Sequence, residues 1–212
     1  MEKYKSNKSG LTLILGMIII AICFQVLRIV PISFKILDAI SVVFNAILAG
    51  GFSFLILRDE FTEWFKHFSF KWTIIGIPLL IITSLIFGIV WKTISVAHPV
   101  ANEINSVLTW TYVGSHVPLL LMGEELLCIP LLYGGWKKLG MKFWQASLLC
   151  AVLFAVWHLP SYGFNLLQVL ITIIPSRLIL NYLFKKTDSI WVTWIVHIAF
   201  DIFSFLPVLL LK

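Results

Sequence analysis

Carboxylates and imidazoles interrupt apolar stretches of this sequence, where ionisable side chains are rare. Glu124 and Glu125 lie in one such stretch, His158 in another, and His197 and Asp201 in a third. An ionised carboxylate in the middle of a membrane helix costs about 2.5–3.5 kcal/mol, so such groups usually serve a function. A buried carboxylate can act as a general base toward water, while a histidine orients that water or shares its proton. These residues predict a proton-handling site, and peptide hydrolysis is one reaction it could serve.

Helical spacing indicates which of these side chains point the same way. Phe154 and His158 are four residues apart, as are His197 and Asp201. Residues four apart lie on one face of a helix and can contact each other. We therefore expect each pair to face one common place, and the spacing allows direct contact within the second pair.

The adjacent glutamates cannot both act on one atom. Neighbouring helical residues differ in direction by about 100°, so one of Glu124 and Glu125 would act while the other braces a neighbouring helix.

Cys128 lies one turn beyond Glu124 and could face the same cavity, which leaves a cysteine nucleophile as an alternative. Two histidines and a carboxylate are also a common zinc set, although no HExxH spacing is present.

The elements that carry these residues are predicted to be membrane helices. Of the 212 residues, 60% are hydrophobic and 12% are charged, and the mean hydropathy is +0.99. Since about 20 apolar residues cross a bilayer core, the chain has room for about six to eight helices. The predicted fold is an all-α polytopic membrane protein. The basic residues lie between apolar segments rather than along one face, which argues against nucleic-acid binding.

Seven apolar segments can be delimited. They lie near 11–30, 36–57, 72–94, 107–133, 145–160, 164–184 and 190–211. The fourth is too long for a simple span and contains Pro118 and Pro130, which predicts a kink or a tilt. The polar break at 58–71 is expected to be an interfacial turn or short helix. We therefore predict seven helices in a single transmembrane domain, residues 1–212.

Basic residues alternate between the two sides that seven spans would create. One set of loops holds Lys3, Lys5, Lys8, Arg58, Lys66, Lys71, Lys137, Lys138, Lys142, Lys185 and Lys186. The other set holds Arg28, Lys35, Lys92 and Lys212. Because cytoplasmic loops are enriched in Lys and Arg, this asymmetry predicts a cytoplasmic N-terminus and an extracytoplasmic C-terminus.

The chemical residues also form a recognisable series of motifs. Glu124-Glu125, then Phe154–His158, then His197–Asp201 resemble, in order and spacing, the three motifs of the CAAX protease and bacteriocin-processing family. Each motif alone is weak, but all three in order on apolar segments form a stronger signal. The resemblance covers roughly residues 107–205 as a catalytic core, whereas helices in 1–106 match only in being hydrophobic.

The resemblance implies an intramembrane glutamic endopeptidase. In such an enzyme Glu124 would activate the attacking water together with His158, while His197 and Asp201 would help to stabilise the oxyanion. Supporting roles would fall to three further residues, namely Glu125, Phe154 and Arg177. The family's mechanism is free of metal, so we expect no cofactor, with zinc kept as the alternative.

Two positions depart from the family pattern. The first motif commonly continues EExxxR, but Ile129 stands where that arginine belongs, so a charge partner is missing. Asparagine is common where Asp201 stands, and an ionised aspartate cannot donate to an oxyanion. Asp201 must then be protonated or orient His197, and we favour the orienting role.

Arg177, inside the sixth apolar segment, needs an acidic or carbonyl partner, for which Glu125 is a candidate.

Several functions are compatible with these residues. The leading one is cleavage of a membrane-associated peptide or protein in a bacterial plasma membrane, in bacteriocin processing or self-immunity. A second is a non-enzymatic immunity or scaffold protein with a degenerate protease site. A third is proton-coupled transport, although no repeat symmetry supports it. The bilayer and the substrate are the expected partners, and the sequence indicates no particular oligomeric state.

Overall fold

The computed structural model describes residues 2–27, 29–95 and 99–211, with the backbone alone for residues 2–6 and 34. Within these residues the chain is helical and contains no strand. The helices are α1 (Glu2–Leu27), α2 (Phe34–Leu57), α3 (Asp59–Glu63), α4 (Phe70–Ile94), α5 (Trp110–Ser115), α6 (Val117–Tyr133), α7 (Phe143–Trp157), α8 (Leu166–Thr187) and α9 (Ile190–Leu210). Arg28 and Lys212, which we assigned to loops, lie outside the described residues.

Six of these helices, α1, α2, α4, α6, α8 and α9, are long and apolar enough to cross a membrane, and α7 is a shorter apolar helix. This confirms the prediction of an all-α polytopic membrane protein, because six long helices and one short one fall within the predicted range. The break at 58–71 contains α3, a helix of 5 residues, as expected for that segment.

The loops gather at two ends of the helix bundle. At one end, the Lys138 ammonium contacts the Glu60 carboxylate, and the indole Nε1–H of Trp191 donates to the Phe65 carbonyl at 2.8 Å. At the other end, the side-chain amide of Gln168 bonds both the N–H and the C=O of Val100, at 2.9 and 2.8 Å. The loops rich in lysine therefore meet at the first end, as alternating spans require.

The long segment at 107–133 is broken rather than merely kinked. Helix α5 begins after Thr109, whose hydroxyl accepts from the Tyr112 N–H, and it ends one residue before His116. Helix α6 then begins with Pro118 in its first turn, where a missing N–H costs nothing. The Trp194 indole N–H donates to the Pro118 carbonyl at 2.7 Å and so ties the start of α6 to α9.

Helix α6 is the most enclosed element and carries both glutamates. In the apolar stretch of α6 that could cross a membrane, 67% of the residues are buried. The corresponding share is 17–39% in the other five long helices. It packs against α1, α2, α7, α8 and α9. Gly123 permits close packing on α2, since a Cβ there would lie 2.8 Å from the Asn45 Cβ and 3.0 Å from the Ala46 nitrogen. This position places Glu124 and Glu125 at the centre of the bundle.

Candidate active site

Four elements bring the predicted chemical residues together. Glu124 and Glu125 lie on α6, His158 immediately follows α7, Arg177 lies on α8, and His197 and Asp201 lie on α9. A cavity of about 800 Å³ opens among these helices, and its walls include the side chains of Glu124, His158, His197 and Asp201. The residues that were predicted to share one place therefore line one cavity.

Glu124 faces both histidines across equal gaps. Its Oε1 lies 3.9 Å from the Nε2 of His158, and its Oε2 lies 3.9 Å from the Nε2 of His197. These gaps exceed a hydrogen bond, but a water molecule can lie about 2.8 Å from the carboxylate and from one of the nitrogens at once. The Glu124 side chain is 17% exposed, so water can reach it from the cavity. This carboxylate is placed to hold a water against an imidazole.

The other ring nitrogen of each histidine fixes its tautomer. The Nδ1 of His158 lies 2.8 Å from the Phe154 carbonyl, and the Nδ1 of His197 lies 2.9 Å from Oε1 of Glu125. A carbonyl oxygen and an ionised carboxylate can accept a hydrogen bond but cannot donate one. Nδ1 therefore carries the proton in both rings. The Nε2 atoms that face Glu124 are therefore acceptors while the rings are neutral, and His197 donates from Nε2 only as an imidazolium.

Glu125 is the bracing glutamate. Both of its oxygens accept from Arg177, at 2.7 Å from Nη1 and 3.0 Å from Nη2, and both side chains are 0% exposed. Glu125 was the candidate partner named for Arg177 from the sequence. It supplies from α8 the cation that the family motif would place at position 129, where Ile129 is fully buried among apolar side chains.

Asp201 is not the residue that orients His197. Its Oδ1 lies 3.9 Å from the Nε2 of His197, beyond hydrogen-bonding distance, whereas Glu125 bonds Nδ1 at 2.9 Å. The favoured orienting role of Asp201 was therefore wrong. A spacing of four residues on α9 shows which side chains share a face, but it does not show which nitrogen a neighbouring helix will bond. Asp201 instead lines the cavity beside the nitrogen that faces Glu124.

Two residues of the site were not predicted. The Nε–H of Arg177 donates to Oδ1 of Asn181 at 2.9 Å, and the Asn181 amide donates to the carbonyl and the hydroxyl of Ser147, both at 3.1 Å. Asn181 is 0% exposed and Ser147 is also buried. The spacing of four between Arg177 and Asn181 was a usable signal, whereas nothing in the sequence indicated Ser147.

The Phe154 ring lies close to both histidines and to Arg177. Its centroid lies 4.4 Å from that of His158 and 6.4 Å from that of His197, and the Arg177 guanidinium carbon lies 5.5 Å from it. An aromatic face stabilises a nearby cation and excludes water from it. Phe154 therefore packs against both histidines and lies beside the guanidinium of Arg177, which also lines the cavity.

Cys128 does not share the cavity with Glu124. It lines a separate apolar cavity of about 490 Å³ together with Cys150 and Trp157, which contradicts the alternative in which Cys128 faces the same cavity as Glu124. Among the residues that the structure describes, no group of three or more His, Cys, Asp or Glu side chains is arranged to hold a metal ion.

A comparison with known families identifies the segment that carries this site. Residues 103–203 match a family described as type II CAAX prenyl endopeptidase Rce1-like. This segment, just under half of the chain, is therefore similar to the CAAX protease family. The matched segment runs from just before α5 to within α9, so it contains all of the cavity residues named above. No curated protein and no solved structure matches the chain. The similarity of this segment to the family supports a CAAX-type intramembrane peptide hydrolase.

Proposed function

We propose that this protein is a CAAX-type protease that hydrolyses peptide bonds inside the membrane with a water molecule that Glu124 activates. The observation that carries the proposal is the position of Glu124, whose two oxygens lie 3.9 Å from the Nε2 atoms of His158 and His197 at one cavity wall. The Nε2 of His158 is an acceptor while that ring is neutral. A water between Glu124 and this nitrogen therefore has acceptors on two sides and a lone pair left for attack.

The reaction then follows ordinary general-base chemistry. Glu124 takes a proton from the water as the water oxygen attacks the scissile carbonyl carbon, and His158 holds the same water through Nε2. The carbonyl π electrons move to oxygen and form a tetrahedral oxyanion. When the intermediate collapses, the C–N bond breaks, and Glu124 returns its proton to the leaving amine.

The oxyanion would be stabilised from the α9 side of the cavity. His197 in its imidazolium form donates from Nε2, because Nδ1–H is already bound to Glu125. A protonated Asp201 could add a second donor, since its Oδ1 lies 3.9 Å from that same nitrogen. Donors fixed before the reaction stabilise developing charge without reorganising, and one such donor is worth about 10²–10³ in kcat.

The cavity walls favour an apolar substrate. Leu80, Leu121, Leu180 and Phe200 contribute to them beside the charged groups. We therefore propose a membrane-associated peptide or protein as substrate, reached from the bilayer of a bacterial plasma membrane, with the N-terminus in the cytoplasm. Bacteriocin processing or self-immunity is the proposed setting. The mechanism needs no cofactor, and zinc is the alternative that the experiment below separates.

Purified wild type and Glu124→Gln should be compared on a fluorogenic peptide library in detergent micelles, with and without a chelator. We expect cleavage by wild type with chelator present and a loss of at least about 10³-fold in Glu124→Gln, because an amide cannot act as the base. Glu63→Gln is the matched control, since Glu63 is a half-exposed side chain in the loop that contains α3.

Each other outcome selects a different function. Cleavage that a chelator abolishes would revive the zinc alternative. No cleavage by wild type, together with immunity that Glu124→Gln retains in cells, would support a non-enzymatic immunity or scaffold protein. Proton flux through liposomes that depends on Glu124, without cleavage, would support transport.

A further inference from the structure

The strongest group that the proposed mechanism does not use is a buried amide behind the cavity. Asn181 on α8 is 0% exposed and has every hydrogen-bonding position of its side chain occupied. Its Oδ1 accepts from the Nε of Arg177 at 2.9 Å and from the Cys150 thiol at 3.7 Å. Its two amide protons go to the carbonyl and the hydroxyl of Ser147. A buried amide with no free position is held in one orientation.

The contacts continue from this amide to the cavity. Arg177 uses Nε for Asn181 and its two terminal nitrogens for Glu125, so bonds on two sides fix the plane of the guanidinium. The carboxylate of Glu125 is aligned with that plane, and its Oε1 also accepts from the Nδ1 of His197. The series of contacts runs from α7 through α8 and α6 to α9.

We propose that Asn181, held by Ser147, is a positioning residue that sets the direction of the His197 imidazole through Arg177 and Glu125. It touches neither the cavity nor the water, and it acts only through the ion pair. The expected effect of Asn181 on the reaction rests on the proposed function. Its expected effect on the orientation of the His197 ring does not depend on that function.

The geometry explains why an ion pair alone would not suffice. With only Glu125 as partner, the guanidinium of Arg177 can rotate about its long side chain and carry the carboxylate with it. The Nε bond to Asn181 removes that freedom, and Ser147 removes the corresponding freedom of Asn181. A ring that turns away from Glu124 loses the alignment needed at the reacting atoms, where a displacement of about 1 Å can cost about 10²-fold in rate.

The first test compares Asn181→Leu and Ser147→Ala with wild type. Leucine has similar size but cannot accept from Arg177, whereas Ser147→Ala removes one of the two acceptors and leaves the carbonyl. We expect kcat to fall about 10- to 100-fold in Asn181→Leu and by a smaller factor in Ser147→Ala, with KM unchanged in both. Ser53→Ala, which removes a buried hydroxyl of α2, is the matched control and should keep wild-type kcat.

The second test reads His197 directly. With ¹⁵N-labelled histidine, wild type should show one His197 tautomer with the proton on Nδ1, identified by its absence from His197→Gln, and Asn181→Leu should show a mixture. If wild type cleaves nothing, or if Glu124→Gln cleaves equally, the proposed function fails and the tautomer signals alone decide the positioning role. A folded Asn181→Leu with unchanged kcat and an unchanged His197 signal overturns the inference, even if its thermal stability falls. Should Asn181→Leu fail to fold, Ser147→Ala decides by the same two readouts.

Discussion

At the scale of single residues, the two adjacent glutamates have opposite environments. Glu124 lies at the cavity wall with its oxygens 3.9 Å from two histidine nitrogens, whereas Glu125 is fully enclosed and bonded to Arg177 and His197. A buried carboxylate bound to a guanidinium is fixed as an anion and cannot exchange protons with a substrate. The difference arises because successive residues of a helix point in directions about 100° apart. One side chain therefore points to the cavity and the other to α8.

Removing only one member of the buried pair should be far more harmful than removing both. Arg177→Met leaves the Glu125 charge without its cation, so we expect a loss of about 3–5 kcal/mol in the free energy of unfolding. The double variant Glu125→Met/Arg177→Met should recover most of that stability, because apolar side chains suit the site. It should remain without cleavage activity, since His197 has lost the partner of Nδ1.

Thermal unfolding in detergent micelles and peptide cleavage would measure the two effects. Lys66→Met removes an exposed cation that pairs with Glu63, and this control should change neither. Equal stability of the single and double variants would contradict the assignment of Arg177 as the partner on which Glu125 depends.

Some site residues could be predicted from the sequence and others could not. An ionisable residue within an apolar stretch is conspicuous, so the amino-acid sequence alone singles out Glu124, His158, His197 and Arg177. Asn181 and Ser147 are uncharged residues that are ordinary in membrane helices, where small polar side chains bond across helix interfaces. Their importance depends on which helices are neighbours, and a single sequence does not specify that.

At the scale of helices, α6 determines how close the catalytic side chains come to one another. It lies between α2 on one side and α8 and α9 on the other. Its position depends on Gly123, the residue directly before Glu124. The break at His116 lets α6 start with its own direction, and α5 contributes Tyr112 to the lining of the cavity. Two prolines within the segment predicted an irregularity, but the break itself depends on tertiary contacts such as Trp194 with Pro118.

Adding a single methyl group at Gly123 should separate α2 from α6. A Cβ there would meet the Asn45 Cβ at 2.8 Å and the Ala46 backbone nitrogen at 3.0 Å, and backbone atoms have little room to move aside. Overpacking of this kind costs about 1–3 kcal/mol, so Gly123→Ala should lower the thermal midpoint. Cleavage should also fall, because Glu124 would shift relative to His158.

Gly88→Ala is the matched control for that substitution. A Cβ at Gly88 of α4 meets nothing within 4 Å, and alanine favours a helix over glycine by about 1 kcal/mol. We expect this control to keep or raise the thermal midpoint. A Gly123→Ala protein as stable and active as Gly88→Ala would show that the contact between α2 and α6 can relax.

At the scale of the whole molecule, the two ends of the bundle differ in chemistry. One end carries Lys137, Lys138 and the loop that contains α3, joined by the contact between Lys138 and Glu60. The other end carries the segment at 99–107, which lines the cavity and is held by Gln168. If the lysine-rich end faces the cytoplasm, as the enrichment of basic residues in cytoplasmic loops predicts, this cavity-lining segment faces the opposite side.

Labelling from one side of the membrane tests this orientation. Cysteines introduced as Glu63→Cys and Leu211→Cys report the two ends, since both native side chains are exposed. They should be made in a Cys23→Ala background, because Cys23 is exposed whereas Cys128 and Cys150 are buried. In intact spheroplasts, a membrane-impermeant maleimide should label Leu211→Cys at once and Glu63→Cys only after permeabilisation. The reverse pattern would place the lysine-rich end outside, and the segment at 99–107 would then cover the cavity on the cytoplasmic side.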